Sequence, residues 1–266
     1  MFVKAPDVIV AQLETLRPVV PQMRLTRTEI PTTRIVGVSE WGRDFTGLTA
    51  TDLKNGVSGT HWRSRDSLGG ALAMALSRST GRRFSSWAVY RRADVHIAMP
   101  DRFREANKVS CAKFALELAP DEALSGFYCE KPDQPMDTCW DWLRLEQALS
   151  DVRLQQTLTV AMKQLGLHWR LDPGDTTIPI TTVIADHPLL WQAPGSVSEA
   201  IGWDEFLARL RAWPQDRWLN LYLGRVRTGA EAISLGAGLA AQLATEYAAV
   251  LPLYDACTTT RTPPSA

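Results

Sequence analysis

Between residues 84 and 131 apolar and polar residues alternate in three runs, 84 to 99, 109 to 118 and 124 to 131, parted by short polar stretches. A period of two is the mark of a half-buried strand. Strands this close in sequence are joined by turns, so the segment predicts an antiparallel meander, with a break near Arg91 in its first run and room for a helical turn in each of the linkers "MPDRFREANK" and "APDEALSG". The alternation also sorts residues by face. Val95, Ile97, Ala112, Phe114, Leu116, Leu118, Phe127 and Cys129 belong to a core. Arg92, Asp94, His96, Lys113, Glu117, Tyr128 and Glu130 fall on the opposite face, with both signs of charge within cross-strand reach.

Elsewhere the period changes. Leu68, Leu72 and Leu76 keep helical spacing behind an Asp66 or Ser67 cap and ahead of Gly81. Residues 140 to 165 read as two helices meeting near Ser150 and Asp151. "LHWRLD", "TTIPITTVIAD" and "PLLWQAPG" read as strands, with Pro179 assigning the second to a sheet edge or bulge. Trp203, Phe206, Leu210 and Trp213 mark one helical face, "RWLNLYLGRVR" is a strand, and 229 to 250 is the longest helix. Pro6 opens a short helix that Pro18 stops, and 33 to 41 reads as a strand. The fold class is α+β, with an antiparallel meander in the N-terminal half and mixed strand and helix units in the C-terminal half. The chain of 266 residues divides into a basic half, 1–132, an acidic, Trp-rich half, 133–257, and a disordered tail, 258–266.

The net charge of zero hides an asymmetry. Residues 1 to 113 carry 18 basic and 10 acidic side chains; the remainder carries 11 and 19. An excess of cations in one half points to a surface that meets an anion. Its focus is "GTHWRSRDS", where His61, Trp62, Arg63 and Arg65 stand between a Gly-rich loop and a helix start. Arginines in that setting contact phosphates, and an indole or imidazole stacks on a base. Arg82, Arg83 and Arg92 extend the same basic surface. The leading expectation is a nucleic-acid-binding protein whose partner is DNA or RNA, with a further protein partner docking on the C-terminal half.

Two alternatives stand beside it. Asp94 and Glu117 on neighbouring strands, with Lys113 beside them, have the residue types of a phosphodiesterase or nuclease dependent on Mg²⁺ or Mn²⁺. Such sites usually add a Lys two residues after the second acid, and Leu118-Ala119 follow Glu117 instead. The other alternative is a non-catalytic protein-interaction subunit, favoured if the arginines lie on several faces.

Other chemistries lack their residues. His61, His96, His168 and His187 show no paired spacing, and Cys111, Cys129, Cys139 and Cys257 form no CxxC, so no resident metal or cofactor is expected. "DSLGGALAMAL" holds two glycines but neither nucleotide-loop pattern, and no GxSxG is present. The first 16 residues lack the layout of a secretory signal, and 229 to 251 is interrupted by Glu231, Gln242 and Glu246. No membrane association is expected. Four thiols without a framework fit reduced cysteines in the cytoplasm.

Overall fold

The three alternating runs become four strands, each antiparallel to the next in chain order. A computed structural model describes residues 45–54, 60–88, 94–103, 111–136, 140–174, 180–184 and 189–258; at 60–66, 87, 88, 94 and 103 it describes the backbone alone. The expected elements at 6–18 and 33–41, together with Arg92, Cys139, Pro179, His187 and residues 259–266 of the tail, lie outside these residues. All described residues belong to one compact unit spanning Val36–Ala266.

The meander consists of β1 (Ser85–Ala88), β2 (Asp94–Ala98), β3 (Lys113–Leu118) and β4 (Glu122–Lys131), each antiparallel to the next. Beyond it, β5 (His168–Asp172), β6 (Thr181–Ile184), β7 (Leu189–Gln192) and β8 (Glu199–Ile201) form a second run of sequential pairs. The last strand, β9 (Leu219–Thr228), lies between the two runs, giving the order β1-β2-β3-β4-β9-β5-β6-β7-β8. All ten residues of β9 are in register with β4, from Glu122 opposite Thr228 to Lys131 opposite Leu219.

The described helices pack on one side of this sheet. They are α1 (Thr60–Thr80), α2 (Asp141–Ala148), α3 (Val152–Leu165), α4 (Trp203–Arg211), α5 (Gly229–Ser234), α6 (Leu239–Ala249) and α7 (Leu251–Thr258). A continuous core runs from Leu68, Leu72 and Leu76 of α1 through Phe114, Phe127, Trp169 and Leu221 to Tyr247 and Tyr254. Phe114 is its centre: its ring stacks 4.8 Å from Tyr247 and 4.9 Å from Tyr254. Two buried ion pairs interrupt the apolar layer. Arg227 of β9 meets Glu246 of α6, and Arg102 meets Asp141 of α2. Burial pushes the Asp141 carboxyl up, while Arg102, the Ala112 N–H and Arg144 pull it back toward the charged form. Cys111, Cys129 and Cys257 are free and buried, and burial raises the thiols of Cys129 and Cys257 well above their ordinary range. Among the described residues no helix is long and apolar enough to cross a membrane.

Four expectations need correcting. α1 begins at Thr60, not at Asp66 or Ser67. Neither Pro nor Gly occurs from 60 to 68, so nothing stops helix propagation backward from the Leu stripe. "APDEALSG" holds no helical turn, because Ala119 donates to the Glu122 carbonyl at 2.8 Å and β4 starts at once. β6 lies inside the sheet between β5 and β7, which excludes the edge but not the bulge for that strand. The long helix over 229 to 250 is broken by a 3-10 turn at Gly236–Gly238, and Gly236 takes φ +52°, a left-handed conformation that favours glycine.

Candidate functional site

The face of the sheet turned away from the helices is built from the other half of the alternation. A separate cluster of sheet residues, Ala115, Leu124, Tyr128 and Tyr222 with Val226 against them, lies here. Its polar members come from four strands in one register. Asp94 stands opposite Glu117, His96 opposite Ala115, Lys113 opposite Tyr128, and Tyr128 opposite Tyr222. His96, Lys113, Glu117, Tyr128 and Glu130, expected together from the sequence, do share this face. Its β9 members, Asn220 and Tyr222, were not foreseen. The alternation in "LNLYLGRVR" separates Asn220 and Tyr222 from Leu221 and Leu223, but no local feature says which strand they meet.

The geometry is one of mutual satisfaction. Lys113 Nζ donates to Glu130 Oε1 at 3.1 Å, with both side chains over nine-tenths buried, and sits 5.0 Å from the centre of the Tyr128 ring. The ammonium is thereby held by a carboxylate and an aromatic face together. The Tyr128 ring lies 4.6 Å from that of Tyr222 and stacks at 6.3 Å with His96. The Tyr128 hydroxyl donates to Asn220 Oδ1 at 2.8 Å, an oxygen that also accepts from Trp218 Nε1 at 2.8 Å. The Tyr222 hydroxyl donates to the Glu117 carboxylate. Burial first, then the neighbouring Tyr222 and the Glu130 carboxylate, push the Tyr128 phenol far above its ordinary value, so it stays a neutral donor.

Beside the tyrosines, Gly126 and Gly224 face each other across β4 and β9. A Cβ on Gly224 would run into the Ser125 carbonyl, and one on Gly126 would meet the backbone of Leu223 and Gly224. The two strands approach so closely there that neither position admits a side chain.

The residues expected to touch phosphate are distributed differently. His61, Trp62, Arg63 and Arg65 lie in the first turns of α1, not in a loop, and positions 63 and 65 stand on opposite sides of a helix axis. Arg82 donates to Asp255 of α7 at 2.5 Å, and Arg83 is exposed. For the nuclease arrangement, Asp94 and Glu117 are register partners, but Glu117 accepts from Tyr222 and Lys113 is committed to Glu130. Among the described residues no group of three or more His, Cys, Asp or Glu stands close enough to hold a metal ion.

Among the described residues, charged groups of this face are paired across strands, Lys113 with Glu130 and Glu117 with Tyr222. No protein-family model, curated protein or solved structure significantly matches the chain.

Proposed function

We propose that the chain is a non-catalytic protein-interaction subunit that meets its partner through the C-terminal half, in the cytoplasm. One observation carries this reading: several described cations of the basic half are spent on acids or carbonyls of the same chain. Arg82 pairs with Asp255 and Arg102 with Asp141, both acids of the C-terminal half. Lys113 pairs with Glu130, and Lys131 is buried among main-chain carbonyls. The charge asymmetry between the halves thus finds part of its complement within the fold, and phosphate is not needed to explain it. Exposed apolar side chains on consecutive helices of the acidic half add support. Leu143 of α2 and Val152 and Val160 of α3 are 39%, 60% and 53% exposed, and 152 and 160 share one helical row.

A second reading keeps nucleic acid, favoured by Arg78 and Arg83, which are exposed at and just beyond the end of α1. A salt titration against mixed-sequence DNA and RNA separates the two. The interaction reading expects no binding that falls steeply with salt, even at about 50 mM, and no change in Arg63→Ala with Arg65→Ala. It also expects a partner captured by the wild type to be retained by Arg78→Ala with Arg83→Ala and lost from Val152→Asp with Val160→Asp. Steeply salt-dependent nucleic-acid binding that those arginine substitutions weaken would overturn it.

A further inference from the structure

Lys131 ends β4 on the helix-covered side and is 5% exposed. A buried ammonium needs partners for three N–H donors. The carbonyls of Pro132, Pro214, Gln215 and Arg217 accept from Nζ at 3.1, 2.8, 3.5 and 3.2 Å. Three of those carbonyls belong to the turn joining α4 to β9, where Arg217 N–H also bonds to the Pro214 carbonyl at 3.2 Å. Asp133, Asp216 and Glu146 are the anions that act on the ammonium from further away. Directly after this turn come Trp218 and Asn220, and Asn220 Oδ1 accepts from both Trp218 Nε1 and the Tyr128 hydroxyl.

We propose that these four carbonyls form a binding cage for a primary ammonium group, with Lys131 as its resident occupant. A loaded cage holds the 214–217 turn against the end of β4 and so orients Trp218 and Asn220 toward Tyr128. Lys131 is thus a positioning residue. The cage selects for a compact cation with several donors on one nitrogen. A guanidinium spreads its donors in a plane and does not converge on four carbonyls in this way.

The test is chemical replacement of the occupant. Lys131→Ala is expected to lower the melting temperature by about 5 °C or more. Methylammonium chloride should restore about half of that loss, while tetramethylammonium, equally charged but without N–H donors, restores none at the same ionic strength. Lys131→Arg should melt close to Lys131→Ala. The Trp218 indole N–H resonance, assigned by its loss in Trp218→Phe, should shift in Lys131→Ala and return with methylammonium. If Lys131→Ala does not fold, Lys131→Met, which keeps the apolar stem, takes its place. Equal effects of the two ammonium salts, an unmoved Trp218 resonance, or wild-type stability in Lys131→Arg would each overturn the proposal.

Discussion

The two faces of β3, β4 and β9 are made by neighbouring residues of the same strands, yet they cohere by different means. Phe114, Phe127, Leu221 and Leu223 turn toward the helices and are held by apolar packing. Lys113, Tyr128, Asn220 and Tyr222, one residue away in each case, are held by bonds to one another across strands. Burial by packing depends on shape and volume and tolerates exchange of one apolar group for another. A satisfied polar network depends on individual atoms, and losing one leaves its partner buried without compensation. The helix-covered face should therefore respond to changes of volume, and the second face to changes of a single oxygen or nitrogen.

The sharpest exception lies on the helix-covered face itself. Arg227 and Glu246 form an ion pair there, 4% and 3% exposed at their side chains, with Ser125 and Gln242 as further partners. Glu246→Ala strands the Arg227 guanidinium in an apolar layer and should cost about 3–5 kcal/mol in urea unfolding. Glu246→Leu combined with Arg227→Met should recover most of that loss, because packing alone can hold this side. Failure of the double substitution to recover would mean that the helix-covered face also depends on its polar atoms, and the contrast would fall.

A milder pair of substitutions compares the faces atom for atom. Tyr247 on α6 donates its hydroxyl to the Ala115 carbonyl at 2.7 Å, while Tyr222 donates its own to the Glu117 carboxylate. Removing the first oxygen, in Tyr247→Phe, should cost about 0.5–1.5 kcal/mol, a neutral bond's worth. Tyr222→Phe deprives a charged acceptor and should cost about 1.5–3 kcal/mol by the same measurement. Equal losses would show that the second face gains nothing from its charged acceptors.

Much of this contrast was legible in the sequence, because both faces are consequences of period two. The alternation around Phe114 and Phe127 placed the meander strands in order and assigned Lys113, Glu117, Tyr128 and Glu130 to one side. The join between α2 and α3 was legible for a local reason as well: the Asp151 side chain accepts from Arg153 N–H, and Gly166 closes α3 in a left-handed conformation. The insertion of β9 between β4 and β5 was not legible. Tyr222 meets Glu117 across 105 residues, and no propensity or spacing rule reports a pairing of that range. β8, with only three residues, is too short to show a period. The charge asymmetry is real, but composition counts Arg102 and Asp141 in separate halves and cannot say that they touch.

The smallest expected effect extends the comparison to the outer wing of the second face. His168 of β5 stands opposite Gly224 of β9, and Arg170 lies two residues along the same strand. Burial first, and Arg170 next, hold the imidazole below its ordinary value of 6.5, so the folded protein favours the neutral ring. The unfolded chain takes up that proton more readily. The contribution of His168 is therefore fully present above pH 6.5 and is lost as the pH falls through 6.5 toward the folded value. Unfolding free energies at pH 7.5 and pH 5.5 should fall more in the wild type than in His168→Gln, and the difference between them isolates this ring from the other histidines. An identical pH dependence would mean that the wing beyond β9 does not desolvate its polar groups as the Tyr128 cluster does, confining the polar mode of cohesion to β2, β3, β4 and β9.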